Sequence, residues 1–183
     1  MRFKFLLIIF LLGLFVLPAT VAQSGPLIKS KLLYAPASDN THARRSEGCF
    51  LRLADGNILC LYGRYKASYL DHSPADLVKI IFSPDGKKII SGETVVIPGE
   101  KSGNVMSPSL LRLKDSRILL IYLEKSRIAN TIVCRIVMRY SLDECKTWSQ
   151  KHYITKGPVY CVVLNGAAIE LASGRIIIPV SQY

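Results

Sequence analysis

Three short polar segments of the chain carry side chains that could take part in chemistry. They are Arg44-Arg45-Ser46-Glu47, Asp71-His72-Ser73-Pro74 with the nearby Asp76, and Asn104. An arginine guanidinium can hold a carboxylate through two parallel hydrogen bonds, and an aspartic acid can exchange a proton with a reacting oxygen. Each segment also has a simpler interpretation, because Asp before Ser-Pro and Asn before a strand are common turn residues. The segments are therefore candidates, and the elements around them must decide whether they converge.

The chain contains five cysteines, an odd number that leaves at least one thiol unpaired even where disulfides can form. Most of them lie within apolar strand patterns, which favours buried structural roles. They are Cys49, Cys60, Cys134, Cys145 and Cys161. No CxxC motif and no Cys/His spacing typical of a metal ligand set occurs, so we predict no metal site.

Residues 1–22 have the pattern of a secretory signal peptide. Arg2 and Lys4 are followed by an apolar run over residues 5–17, which is too short for an easy membrane span, and by the small residues Thr20-Val21-Ala22. An uncleaved anchor is the alternative. We predict an exported protein with no membrane-spanning segment after cleavage.

Removal of residues 1–22, which carry two basic and no acidic residues, lowers the formal net charge from +11 to +9. The remaining residues suffice for one domain with its own core. A basic exterior can favour nucleic acid, anionic lipid or an acidic sugar. The Lys and Arg residues are scattered without a run of five, so a basic but unspecialised surface is the simpler interpretation, and we predict no nucleic-acid partner.

One hairpin pattern occurs three times. The copies share a strand, a tight turn and a second strand, and they span residues 50–62, 110–122 and 168–180. Their turn positions Gly56, Ser116 and Gly174 are 60 and 58 residues apart. Turn residues between β-rich runs at a fixed period indicate a repeat of β-hairpins.

A second hairpin alternates with the first, at residues 81–97 and again at residues 139–155. Four strands per repeat are typical of a propeller blade, and no segment has a helical period. The sequence therefore predicts an all-β fold with blades over residues 44–98 and 104–156 and a third that begins near residue 160. Residues 23–43 are predicted to be a linker, in which Leu32-Leu33-Tyr34 could form an outer strand.

About two and a half blades cannot close a ring, since propellers have about four to eight. We therefore expect residues 44–183 to form part of a longer propeller, with the last strand at residues 176–180 left without its blade partners. Self-assembly of partial propellers and an open stack of sheets are the alternatives, and both would expose strand edges.

The stretch from Ser141 to Trp148 reads Ser-x-Asp-x-Cys-x-Thr-Trp and resembles the Asp-box of sialidase-like β-propellers. Ser141, Asp143, Thr147 and Trp148 match the fixed positions of that box, whereas Cys145 stands where the box has glycine. In such a turn the Ser and Asp side chains accept backbone N–H groups, and the Trp buries its ring. Cys145 is strained if that position has positive φ.

The polar segments, together with residues 104–113 and the repeat period, resemble the bacterial exo-α-sialidase family with BNR repeats over residues 41–183. The resemblance implies a six-bladed sialidase-type β-propeller that releases terminal sialic acid from glycans. It implies a sialylated glycan or other carbohydrate as partner and no metal or organic cofactor. Family sites use three arginines on the substrate carboxylate, an acid/base Asp, and a Tyr nucleophile paired with Glu. A neutral Tyr avoids the repulsion that a carboxylate nucleophile would meet at this anionic sugar.

Residue by residue, the resemblance assigns the first arginine of the triad to Arg44, with Arg45 as the neighbouring candidate. It assigns the catalytic acid/base to Asp71, with Asp76 as the alternative. His72 could support Asp71 or could simply be solvated.

Glu47 could orient an arginine through an ion pair, and Arg64 could line the pocket. Asn104 and Asn165 could bond sugar hydroxyls. The remaining arginines, the nucleophilic Tyr and its Glu belong to later blades, and Tyr183 is not assigned as the nucleophile. Hydrolysis by this chain alone is therefore not expected. A sugar-binding or interaction propeller without catalysis and a glycosidase for neutral sugars remain alternatives.

Overall fold

The computed structural model describes residues 32–99 and 103–183, and its compact unit runs from Leu33 to Tyr183. The predicted signal peptide lies outside the described residues. The described residues contain strands and turns but no helix, so the predicted all-β class is confirmed. Accordingly, this part of the chain offers no helix that could cross a membrane.

The first four strands form an antiparallel meander, which we call the first sheet. Its strands are β1 (Arg44–Arg52), β2 (Ile58–Tyr65), β3 (Ala75–Phe82) and β4 (Ile89–Ile97). Each strand pairs with the next one along the chain, from β1 on one edge to β4 on the other. β2 and β3 alternate in burial only weakly because both of their faces are covered along much of their length.

The next four strands repeat this arrangement as the second sheet. Its strands are β5 (Asn104–Arg112), β6 (Ile118–Ile128), β7 (Thr131–Ser141) and β8 (His152–Tyr153). β6 and β7 are eleven residues each and pair along their whole length. A single parallel pairing between Ala75 and Asn104 joins the second sheet to the first.

Four short strands follow the second sheet. They are β9 (Cys161–Val163), β10 (Ile169–Glu170), β11 (Ile176–Ile177) and β12 (Val180–Gln182). The segment 176–180 was expected to be a single strand of the hairpin over residues 168–180, whereas the structure divides it in two. Pro179 has no N–H for a ladder, so the chain breaks into β11, which pairs with β10, and β12, which pairs with β9.

The three predicted hairpin turns have the same backbone. In the first of them, the Leu53 N–H donates to the Asn57 carbonyl, and the Leu53 carbonyl accepts the Gly56 N–H. The other two turns make the same pair of bonds. The equivalent positions Gly56, Ser116 and Gly174 all have positive φ, at 86°, 71° and 79°. Two of them are glycine, which adopts this conformation without strain, and Ser116 is the exception.

Apolar side chains between the sheets form two clusters that order the stack. Leu59, Leu61 and Leu77 of the first sheet meet Leu120 and Val137 of the second. The opposite face of the second sheet meets the last four strands in another cluster, which contains Leu119, Ile121, Ile136, Cys161 and Val163. Full burial of one such side chain contributes about 1.5–3 kcal/mol, so these clusters fix how neighbouring sheets are stacked.

The predicted outer strand at residues 32–34 is absent, because residues 32–43 carry no strand. Pro36 lies two residues after Tyr34 and cannot donate to a ladder. Tyr34 instead contacts the apolar side chains Tyr62, Val78 and Ile80 on the outer face of the first sheet. No closed ring exists within the described residues, so the number of blades stays a prediction.

Candidate functional site

The predicted site residues lie at one end of the two sheets. This end carries the starts of β1, β3 and β5, the ends of β2 and β6, and the loop over residues 66–74. The hairpin turns at residues 53–57 and 113–117 lie at the other end. Meander topology thus brings Arg44, Asp71 and Asn104 together although they are far apart in sequence.

Arg44 and Asp71 form an ion pair at this end, with 2.8 Å between Arg44 Nη2 and Asp71 Oδ1. The guanidinium carbon of Arg44 lies 3.7 Å from the centre of the Tyr65 ring, which fixes its plane through a cation–π contact. The Asp71 side chain is 61% exposed. Arg44 Nε is buried and has no hydrogen-bond partner among the described residues. Burial opposes the charge of Arg44, but its contacts with Asp71 and Tyr65 together outweigh burial and raise the pKa of Arg44.

Glu47 acts on Arg44 through Tyr65, and the ion pair with an arginine expected for it is not found among the described residues. Glu47 Oε2 accepts hydrogen bonds from Tyr65 Oη at 3.1 Å and from the Ser107 N–H at 3.1 Å. Glu47 and Ser107 both have positive φ and stand at equivalent bulges of β1 and β5. Burial, followed by the Glu47 charge, raises the pKa of Tyr65, so Tyr65 stays neutral beneath the guanidinium.

Arg45 and Arg64 are directed away from Asp71. Successive residues of a strand point to opposite faces, so Arg45 lies on the face opposite to Arg44. Arg45 Nε is 2.7 Å from Glu93 Oε1, and Arg64 Nη1 is 3.2 Å from Glu93 Oε2. The structure therefore places Arg45 and Arg64 in a separate ionic network on the outer face of the first sheet.

Glu93 is the centre of this network and was not singled out from the sequence. It also accepts a hydrogen bond of 2.5 Å from Tyr62 Oη. Burial opposes its ionisation, but the hydrogen bonds from Arg45, Tyr62 and Arg64 prevail and lower the pKa of Glu93 to about 2. The sequence feature that could have indicated its role is its position as the one acidic residue in the segment 89–97.

Asp76, the alternative acid, is a buried structural carboxylate. Its side chain is 5% exposed and lies 2.7 Å from Lys66 Nζ. It also accepts the Gly99 N–H at 3.0 Å, and Arg64 Nη2 is 3.5 Å away. With these partners, Asp76 is less accessible to a ligand than Asp71.

Asn104 holds the loop that carries Asp71. It is 2% exposed, and its Nδ2 donates to the carbonyl oxygens of Asp71 at 3.2 Å and Ser73 at 2.5 Å. Lys125 Nζ, which the sequence did not single out, donates to the same Asp71 oxygen at 3.1 Å. The expected bond from Asn104 to a sugar hydroxyl stays a prediction, because its Nδ2 is already used to hold this loop. Asn165 is exposed and donates to the Gly48 carbonyl at 2.9 Å.

The turn from Ser141 to Trp148 lies at the end opposite to Asp71. Asp143 accepts bonds from the Thr147 hydroxyl at 2.6 Å and the Thr147 N–H at 2.9 Å, and Ser141 Oγ accepts the Cys145 N–H at 2.9 Å. The Thr147 hydroxyl and neighbouring donors lower the pKa of Asp143 to about 2. Cys145 does have positive φ, 63°.

In residues 32–99 and 103–183, no group of three His, Cys, Asp or Glu side chains is placed to hold a metal ion. All five cysteines are free thiols. Burial raises the pKa of Cys49 and Cys145 to about 12. These two thiols are therefore poor nucleophiles.

No protein-family model matches the sequence, and a search of curated proteins finds no match. Solved structures do match. They include the Hadza microbial sialidase Hz136, with a TM-score of 0.63, 14% sequence identity, and coverage of 78% of this chain and 33% of that chain. They also include a protein of unknown function from Dyadobacter fermentans, with a TM-score of 0.57, 18% identity, and coverage of 75% and 46%. A third is the endo-arabinase from Bacteroides thetaiotaomicron, with a TM-score of 0.52, 12% identity, and coverage of 74% and 50%.

At these identities the likeness shows the fold alone. The described strands are arranged as in parts of two glycoside hydrolases. The chain spans between a third and a half of the length of these three structures.

Proposed function

We propose that the chain forms part of an exo-α-sialidase-like glycoside hydrolase that releases terminal sialic acid from glycans. The main support for the proposal is the ion pair between Arg44 and the exposed Asp71, at the end of the sheets where β1, β3 and β5 begin. Arg44 would bind the substrate carboxylate, and Asp71 would donate a proton to the leaving oxygen.

The contacts of Arg44 support this assignment. Tyr65 fixes the guanidinium plane, and Arg44 Nε is a buried donor without a partner among the described residues. A substrate carboxylate that takes over the guanidinium would release the Asp71 side chain. It would also place a second negative charge beside Asp71, which favours the protonated acid that the reaction needs.

The similarity to the endo-arabinase favours a second candidate, a propeller glycosidase that acts on a neutral sugar. Such an enzyme has no need of a fixed guanidinium at its site. Sugar binding without catalysis is a third candidate, because one fold can host many functions.

The test is a hydrolysis assay on a longer reading frame that contains these residues. We expect cleavage of a fluorogenic α-sialoside, inhibition by a planar sialic-acid analogue, and no cleavage of an arabinoside or a β-galactoside. Cleavage of the arabinoside alone would establish the second candidate. Binding of the sialoside without cleavage would establish the third.

A further inference from the structure

A cleft of about 840 Å³ opens beside the loop that carries Asp71. One wall is His72 with Pro98 and Gly103, and the other is the end of the β6–β7 hairpin. Its lining includes Asn104, Glu124, Lys125, Arg127 and Ile132. The site derived above uses Arg44 and the Asp71 carboxylate, and neither lines this cleft.

The described lining residues of the cleft carry a net positive charge. Lys125 and Arg127 contribute two cations, and Arg127 is exposed. Glu124 is the acid in the described lining, and cations from outside the cleft offset its charge. Glu124 Oε2 is 3.0 Å from Lys151 Nζ, and Glu124 Oε1 is 3.7 Å from Arg135 Nη2. A ligand in the cleft therefore meets an excess of positive charge.

The cleft is also adjacent to the proposed acid. His72 follows Asp71 directly, and the lining residues Asn104 and Lys125 both donate to the Asp71 carbonyl. An acid that protonates a leaving oxygen must lie next to the leaving part of the substrate. Pro98 and Ile132 add apolar surface on which the face of a sugar ring can rest.

We propose that this cleft binds an anionic saccharide unit, carboxylated or sulfated, as the leaving part of the glycan. This inference rests on the proposed function for its role in the reaction. The binding itself follows from the charge and position of the cleft. Such a cleft predicts that the preferred glycans carry a second acidic sugar beside the terminal one.

The test is an NMR titration of the 183-residue chain with galactose 6-sulfate, glucuronic acid and galactose. Both acidic sugars should shift the amide signals of residues 71–73 and 124–127 and should bind at least about tenfold more tightly than galactose. Binding of one acidic sugar alone identifies sulfate or carboxylate as the ligand group. Equal binding of galactose, or no binding of either acidic sugar, would overturn the proposal.

The variant for this titration is Arg127→Gln, with Arg175→Gln as the matched control. Both arginines are exposed, and Arg175 lies in the turn between β10 and β11, outside the cleft lining. Arg127→Gln should weaken binding about three- to tenfold, as expected for one accessible charge, while Arg175→Gln should leave it unchanged. Equal effects of both variants would indicate nonspecific attraction to a basic surface and would overturn the proposal.

The NMR titration tests the cleft, and the hydrolysis assay tests the proposed function, so either one can fail without the other. Acidic-sugar binding in the cleft, with no cleavage of any sialoside by the longer protein, would retain the binding site and refute the hydrolase. Cleavage of a sialoside, with no acidic-sugar binding in the cleft, would do the reverse.

Discussion

Arg44 is the side chain on which the candidate site depends. The sequence assigns the role to Arg44 and keeps Arg45 as the neighbouring candidate, because both belong to the same short segment. The strand register separates them, since Arg44 is opposite Tyr65 whereas Arg45 is opposite Arg64. Only a folded sheet shows that one arginine reaches Asp71 and that the other reaches Glu93.

The two arginines should therefore differ in ligand binding. In an NMR titration of this chain with sialic acid, Arg44→Gln should abolish the shifts of residues 44, 65 and 71. Arg45→Gln should keep those shifts, because its guanidinium lies on the other face of β1. The opposite pattern, in a variant that retains its fold by the same spectra, would remove Arg44 from the site.

Ser116 is the one residue other than glycine among the three equivalent turn positions Gly56, Ser116 and Gly174. Its φ of 71° is costly for a residue with Cβ. We expect Ser116→Gly to raise the free energy of unfolding by about 0.5–1 kcal/mol in chemical denaturation.

Gly56→Ser is the reciprocal control for this prediction. A Cβ at Gly56 would meet Pro84 at an ordinary 3.6 Å, so its cost is that of the backbone alone. It should lower the free energy of unfolding by a similar amount. Stabilisation by both substitutions would contradict the account.

At the scale of elements, Glu144 links the turn at residues 141–148 to the first sheet. Its carboxylate makes two 2.7 Å bonds with Arg112 and accepts the Ala54 N–H at 2.8 Å. Glu170 makes the equivalent bond to the Lys114 N–H at 2.9 Å, 60 residues after Ala54. Neighbouring sheets are thus joined by one repeated carboxylate contact as well as by apolar surface.

Removal of this link should loosen the two sheets. We expect Glu144→Ala to lower the free energy of unfolding by about 1–2 kcal/mol, because a charged bidentate pair and a backbone donor lose their partner. A double-mutant cycle with Arg112→Ala should give a coupling of about 1 kcal/mol. Additive effects of the two variants would show that the pair contributes nothing. Lys146→Ala, an exposed change in the same turn, is the control.

The Glu93 network should make the stability of the first sheet depend on pH. The folded pKa of Glu93 is depressed to about 2 from an ordinary value near 4.5. Its contribution is therefore fully present above about pH 4.5 and is lost as the pH falls through about 2. Glu93→Gln should cost about 2 kcal/mol at pH 6 and much less at pH 2.

The measurement for Glu93 is thermal unfolding of the wild type and Glu93→Gln between pH 2 and pH 6, with Asp55→Asn as control. Asp55 is an exposed turn carboxylate, and the effect of its substitution on the melting temperature should not decrease between pH 6 and pH 2. If the difference in melting temperature between the wild type and Glu93→Gln stays constant with pH, the proposed role of the Glu93 network is refuted.

Strands and turns were predictable from this sequence because they follow from local patterns. Turn residues at a near-60-residue period located the hairpins, and alternating apolar runs located the strands. The bulges at Glu47 and Ser107 left no comparable signal, although they aim Glu47 at Tyr65. The contacts of Asn104 and the role of Glu93 could not be predicted, because their partners lie on other strands or loops and depend on register.

For the whole molecule, stacking of repeated four-stranded sheets accounts for the position of the site. Two apolar clusters hold the described sheets in order, and the shared direction of β1, β3 and β5 brings their first residues to one end. The hairpin turns at residues 53–57 and 113–117 and the contact of Glu144 with Ala54 lie at the opposite end. Substitutions there should change stability without changing chemistry, which provides matched controls for the site.

The most direct test of the account is the effect of Asp71→Asn on sialoside hydrolysis by a longer reading frame that contains these residues. Asp55→Asn is the control, because it removes another exposed carboxylate, from the opposite end. We expect a loss of about 10²–10⁴-fold in rate for Asp71→Asn, with an unchanged melting temperature, and no loss for Asp55→Asn. An Asp71→Asn protein that cleaves the sialoside as fast as the wild type would contradict it.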